Sequence, residues 1–187
     1  MLDHVGQEAG QTEGTLVARA PGQDRLPRLL FVGLNPPLTS GARTRGRVDM
    51  ARGLLGFATV EFVNLFAWPT RDLAGIAAVG TVHDGWREAR LKLFKALHAA
   101  DGVLFGYGVQ APTGVAGGHF RSQLAWLDTV MGDTNVPVWE VGGRPRHPSR
   151  WQRHTSRVHP DRPFREALAY ELQRRNCPPE GQPPAAF

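Results

Sequence analysis

The sequence predicts an α/β fold: a three-layer sandwich around a four-stranded parallel sheet in the order 2-1-3-4. Three observations lead there. Short apolar, β-rich runs alternate with segments of helical spacing, the pattern of a parallel sheet with helices on both faces. Three polar motifs stand at the ends of such runs: Gly33-Leu34-Asn35-Pro36-Pro37, Asn64-Leu65-Phe66 and Pro145-Arg146-His147-Pro148-Ser149. An open parallel sheet binds ligands outside the carboxyl ends of its strands, so motifs placed there can share one rim. Right-handed crossovers then restrict the strand order.

Each element has its own local reason. Residues 1–14 are polar and read as a flexible N-terminus. Thr15 to Ala18 can form a short strand, which opens a single domain over residues 15–176. Arg28 to Val32 is a compact apolar run stopped by Gly33 and the Asn-Pro turn, so it reads as a buried strand. Residues 38–47 form a Ser/Thr/Gly/Arg loop. Asp49 to Leu55 has the look of a short helix ended by Gly56, and Thr59 to Leu65 is a second strand. Arg71 to Asp84 is irregular. Trp86 to Ala100 carries Ala89, Leu93, Ala96 and Leu97 at helical spacing. Val103 to Tyr107 is a third strand, followed by a Gly-rich stretch over 108–118. His119 to Met131 is a helix with Phe120, Leu124, Leu127 and Met131 on one stripe. Val136 to Val141 is the fourth strand; a long loop and a helix from Pro163 to Arg175 follow. Residues 177–187 are a Pro-rich tail whose composition disfavours a packed structure.

With 187 residues the chain suits one domain with a full-sized core, and its 41% apolar content is ordinary for a globular protein. No apolar run is long enough to span a membrane, and Met1 to Gly10 resembles no leader sequence. The single cysteine, Cys177, cannot form an internal disulfide, which fits a reducing cytoplasm. The net charge is +5, carried by 20 Arg and two Lys. A basic balance favours polyanion partners, although a genome rich in G and C also encodes Arg freely. Distribution is more telling. Nine Arg against three acids lie between Gly142 and Arg175, around the His147 motif. Such clustering suits a phosphate-contacting face.

Each motif has a functional and a plain reading. Gly33 lets backbone approach a ligand and the prolines stiffen the turn, so Asn35 can hold an amide above the sheet; it can equally be an ordinary Asn-Pro turn. Asn64 offers a donor and an acceptor for a base edge, or caps the next loop. His147 can donate to charge developing on a leaving group, or sit idle in a basic loop. Ser149 nearby lacks a nucleophile elbow, which argues against a serine hydrolase. Gly106-Tyr107-Gly108-Val109-Gln110-Ala111 mimics a dinucleotide fingerprint but follows the third strand, with Pro112 and Gly114 delaying the helix. His147, His154, His159 and Cys177 match no zinc spacing. Neither a metal nor a cofactor is expected.

These residues resemble the uracil-DNA glycosylase superfamily. Gly33-Leu34-Asn35-Pro36, followed by Leu38-Thr39-Ser40, is similar to the first motif of its mismatch-specific and single-strand-selective branches, whose Asn positions the attacking water. Asn64 resembles the base-reading Asn. His147-Pro148-Ser149 resembles the second catalytic motif, whose His bonds the leaving base. Two residues past that Ser stands the family's intercalating wedge, here Trp151. The sets Leu34-Asn35-Pro36, Asn64-Leu65-Phe66-Ala67 and Pro145-Arg146-His147-Pro148 are closer still to a bacterial and phage domain family of unassigned function, over roughly residues 15–155. The chain departs from the pattern at Pro37, where the glycosylases usually have Gly, and at Arg150, where they have Pro. No aromatic precedes Phe57 after the first motif, so Phe57, Phe66 and Trp68 are the candidates for stacking on the base.

The resemblance implies a monofunctional DNA glycosylase, acting in DNA repair or on modified DNA, that hydrolyses the bond between a damaged or modified base and its sugar. Asn35 and His147 are then catalytic. Gly33, Leu34, Pro36, Asn64, Phe66, Trp68 and Phe57 hold the flipped base, and Arg144, Arg146, Ser149, Arg150, Trp151 and Arg153 contact DNA, single- or double-stranded. Trp151 has two open readings, an inserted wedge or a ring packed beneath its loop. No membrane and no obligate protein partner are expected. The rival is a non-catalytic nucleic-acid or nucleotide-binding module on the same fold, since fold does not fix function.

Overall fold

The computed structural model describes residues 25–175. The strand expected at 15–18, Cys177 and the Pro-rich tail lie outside them. Within them the chain forms β1 (Arg28–Gly33), α1 (Ala42–Leu54), β2 (Thr59–Asn64), α2 (Leu73–Val79), α3 (Asp84–Ala99), β3 (Gly102–Phe105), α4 (Gly114–Thr134) and β4 (Val138–Val141). A 3-10 turn (Pro148–Arg150), α5 (Trp151–Val158), α6 (Phe164–Glu171) and β5 (Leu172–Arg174) complete it.

The sheet order is β2-β1-β3-β4-β5. β1 runs parallel to β2 and β3, and β3 runs parallel to β4. The four expected strands therefore stand in the expected order. The fifth, β5, is antiparallel to β4 and was expected to be the end of a helix. That helix stops at Glu171, where the chain meets the open edge of β4. Gly142 N–H donates to the Glu171 carbonyl at 2.8 Å, and Val141, Glu140 and Trp139 pair with Leu172, Gln173 and Arg174. Ladder bonds on an unpaired edge win over helical spacing there.

Alternation along the strands divides the core into two. Leu30, Val32, Val103 and Phe105 pack with Ile76, Leu93, Phe120 and Leu127 of α2, α3 and α4. Leu29, Phe31 and Leu104 pack on the other face with Val48 of α1, Trp151 of α5 and Leu168 of α6. The layering follows from the path of the chain. It leaves β1 outward to β2, then returns past β1 to β3. Right-handed crossovers in opposite directions put α1 and α3 on opposite faces. They also leave a crevice between the carboxyl ends of β1 and β3, the place where such sheets bind ligands.

Four helices run beyond, or lie outside, the sequence expectation, α4 among them, which reaches Gly114 and Thr134 on either side of the expected His119 to Met131. α1 begins at Ala42, seven residues early, after Gly41 in the left-handed conformation (φ 62°). Only Val48 and Ala51 of α1 are fully buried, so its apolar period is faint. α2 occupies a stretch expected to be irregular. Asp72 starts it by accepting from Gly75 N–H at 2.9 Å. α5 occupies a stretch expected to be loop. Among the described residues no helix is long and apolar enough to cross a membrane.

Candidate active site

A cavity of about 850 Å³ opens over the carboxyl ends of β1 and β3. Its walls come from four places: the turn after β1, the start of α2, the loop after β3, and the His147 loop with one face of α5.

The first motif builds one wall. Leu65 N–H donates to the Gly33 carbonyl at 2.9 Å and Phe66 N–H to the Leu34 carbonyl at 2.8 Å, so strand pairing continues past β1 and fixes the turn. Asn35 Nδ2 donates to the Pro36 carbonyl at 3.0 Å, the Thr70 carbonyl at 2.9 Å and Thr70 Oγ1 at 3.0 Å. Carbonyls accept only, so these bonds set which end of the amide is nitrogen. Asn35 Oδ1 accepts nothing from the described residues and is left open at the cavity wall. It is a fixed acceptor.

The third motif builds the opposite wall. Ser149 N–H donates to His147 Nδ1 at 3.2 Å, and Ser149 Oγ lies 2.8 Å from the same nitrogen. An Nδ1 that accepts a backbone N–H carries no proton, so the neutral ring is protonated at Nε2. Burial of the ring, then the charges of Arg150 and Arg47, hold the His147 pKa below its ordinary value. His147 is thus a neutral donor. Its loop is braced on three sides. Arg47 of α1 donates to the Pro148 carbonyl at 2.8 Å and to Gln152 Oε1 at 3.0 Å. Gly108 N–H donates to the Pro145 carbonyl at 2.6 Å. Trp151 Nε1 donates to the Arg146 carbonyl at 2.7 Å from below.

Of the expected site residues, Leu34, Asn35, Arg146, His147, Ser149, Arg150 and Arg153 line the cavity. Gly33 and Pro36 support it without lining it. Several expectations need correction. Trp151 is fully buried in the core, so it is not a wedge; its indole is held by Trp151–Arg146 bonding and by Leu168 and Phe31 of the same core cluster. Phe66 is fully buried between Trp86 and Trp68, with its ring over the space above Gly85, and cannot stack on a base. Phe57 packs edge-on to Trp139 and against Gly102, at the amino end of the sheet. Trp68 is half-buried beside Phe66 and does not reach the cavity. Asn64 ends the neighbouring strand, and its Oδ1 fills the space above Gly33, where a Cβ would lie 2.5 Å away. It sits outside the cavity wall. Arg144 is exposed and lies outside it too.

Other wall residues, His154, Arg157, Arg71, Asp72 and Tyr107 among them, were not expected at the site. Arg150, Arg153, His154 and Arg157 form one stripe of α5 and its leading turn, and all four line the cavity. Their i, i+3, i+4, i+7 spacing was visible in the sequence, but as a polar stripe in a segment with little apolar period. Arg71 and Asp72 come from the lead-in to α2. The one Phe, Tyr or Trp in the wall is Tyr107, 9% exposed, whose hydroxyl pKa is raised by burial and by the charge of Glu140. Behind the stripe, Glu171 accepts from His154 Nε2 at 2.7 Å and from His159 Nε2 at 2.9 Å. Burial alone would raise the Glu171 pKa; hydrogen bonds from these two rings outweigh it and lower the value. Among the described residues no cluster of three His, Cys, Asp or Glu side chains is arranged to hold a metal.

The site thus brings a fixed carbonyl acceptor, a neutral imidazole donor and five arginines to the wall of one cavity. No family model, curated protein or solved structure matches the chain.

Proposed function

We propose that the protein hydrolyses the N-glycosidic bond of a nucleotide, as a DNA glycosylase does. One observation carries the reading: Asn35 Oδ1 and the protonated Nε2 of His147 are both unengaged within the described residues and both belong to one cavity at the strand ends. Asn35 accepts a hydrogen bond from a water and holds it toward the anomeric carbon. As the C–N bond lengthens, the sugar gains oxocarbenium character and the electron pair moves onto the base. His147 donates from Nε2 to the acceptor atom where that charge gathers. A preorganised donor of this kind lowers such a barrier by about 3 kcal/mol. Water then adds to the anomeric carbon and gives up a proton to solvent, while the base leaves as an anion held by the hydrogen bond from His147 and takes a proton from solvent on release. The sugar cation is so electrophilic that the water needs orientation more than deprotonation, which suits an amide in place of a carboxylate.

A second reading has one observation in its favour. The wall offers only Tyr107 as an aromatic face, and that ring lies mostly in the core, packed on Phe105 and Phe120. A module that binds nucleotides without reacting needs no stacked, strained base. A panel of oligonucleotides and nucleoside 5′-phosphates bearing different modified bases, incubated with the protein and then assayed for free base, separates the two. Release of one modified base is the expected result. Retention of every base, with binding intact, leaves the module reading in place.

A further inference from the structure

Five arginines, Arg71, Arg146, Arg150, Arg153 and Arg157, line the cavity together with a single acidic residue, Asp72. Asp72 is already engaged at the start of α2. Elsewhere in the fold Arg25, Arg28, Arg52 and Arg175 each meet an acid, but none of the five cavity arginines does so among the described residues. Arg146 Nε is buried and has no hydrogen-bond partner. A buried donor on a charged group is costly to leave unpaired, and five like charges around one hollow repel one another. The repulsion falls when an anion enters. The arrangement is held in place by α5: Trp151 and Thr155 are buried on its inner stripe, so Arg150, Arg153 and Arg157 are fixed on the stripe that faces the cavity.

The shape of this charge discriminates among anions. An internal nucleic-acid strand carries single charges in a row and is tracked by a row of basic groups along a surface. Here all five basic side chains line one hollow, and the exposed Arg144 is not in its wall. A volume of about 850 Å³ fits one compact ligand. A terminal phosphate carries nearly two charges near neutral pH and three oxygens, which match several guanidinium forks at once.

We infer that the cavity grips its nucleotide by a terminal phosphate, so that the substrate is a free nucleoside phosphate or the phosphorylated end of a strand and not an internal nucleotide. This rests on the reading above that the cavity takes a nucleotide. Calorimetry on the full chain tests it, with inorganic pyrophosphate, thymidine, thymidine 5′-monophosphate, thymidine 5′-triphosphate, and short oligothymidylates with and without a 5′-phosphate as probes. Hydrogen bonds to charged groups predict that a terminal phosphate tightens binding about tenfold or more. The Arg153→Gln/Arg157→Gln double variant should lose that gain while melting like the parent, since both side chains are exposed. Binding of the monophosphate as tight as that of the phosphorylated oligothymidylate assigns a free nucleotide; tighter binding of the latter assigns a strand end. Equal binding with and without the phosphate, survival of the gain in the double variant, or no binding of pyrophosphate and both nucleotides overturns the inference. Base release separates it from the reading beneath it. Wild-type release from an internal site by the double variant removes the inference and keeps the glycosidase. Phosphate-dependent binding with no release from any substrate does the reverse.

Discussion

Asn35 and His147 bring opposite chemistry to the cavity, an acceptor and a donor, and each is set by a bond on its far side. Asn35→Ala and His147→Ala should each slow base release about 10²-fold or more with little change in ligand affinity, because both groups act on the water or the charge of the transition state. Single-turnover rates on a verified substrate check this; wild-type rates in both variants would sink the assignment. The His147 ring also predicts a pH profile. Its pKa lies below the ordinary 6.5, from burial first and then Arg150 and Arg47. The folded chain therefore holds this proton less tightly than the unfolded chain. Its contribution to stability is level above 6.5 and declines as pH falls from 6.5 toward the lowered value. Protonation at Nδ1 also breaks the bond from Ser149 N–H. The fall in release rate at low pH should have its midpoint below 6.5; a midpoint at or above 6.5 contradicts the lowered pKa of His147. Residue identity was legible here because a strand end followed by Asn-Pro or His-Pro is conspicuous. Two of the partners were not: Thr70 and Arg47 are remote in sequence, and only tertiary packing brings them in, whereas Trp151 beneath its loop was one of the two readings the sequence left open.

The 3-10 turn and α5 are the element on which the cavity depends. Their inner stripe is Trp151, with no exposed surface and one hydrogen bond to the Arg146 carbonyl. Trp151→Ala should destabilise the fold by about 3–5 kcal/mol through the cavity it leaves. Trp151→Phe keeps most of the ring, orphans the carbonyl, and should cost about 1–3 kcal/mol. Urea denaturation measures both, and a loss of ligand binding with an unchanged midpoint would mean that the ring works at the surface after all. Elements with a strong apolar period, such as α3, were legible to within two residues. α1, α2 and α5 were not. Each buries only one or two side chains; α1 and α5 write their helical period in polar residues, which sequence patterning weighs as loop, and the seven residues of α2 carry no polar side chain and are too few to show a period.

At the scale of the molecule, the basic balance read from composition resolves into a place. Charges scattered over a surface and charges gathered in one hollow give the same net +5. If four or five arginines contact a bound single strand, its affinity should fall about 10²-fold between 50 and 200 mM salt. A titration series across that range checks it; an affinity that ignores salt would mean the arginines make no contact with phosphate. The sheet order was legible because crossover handedness leaves few choices once the motifs share a rim. The antiparallel fifth strand was not, because Leu172–Arg174 carries nothing that marks it apart from the preceding helix. Its presence has a consequence for how the protein behaves among its own copies. Without it, Val138–Val141 would offer a row of unpaired N–H and C=O groups beside an apolar strand, a template onto which another chain could add and then another. With it, this side of the sheet ends, among the described residues, in three residues, two of them the exposed Gln173 and Arg174. Short and polar, that edge discourages strand addition on its own side and leaves β2 as the longer edge on the other.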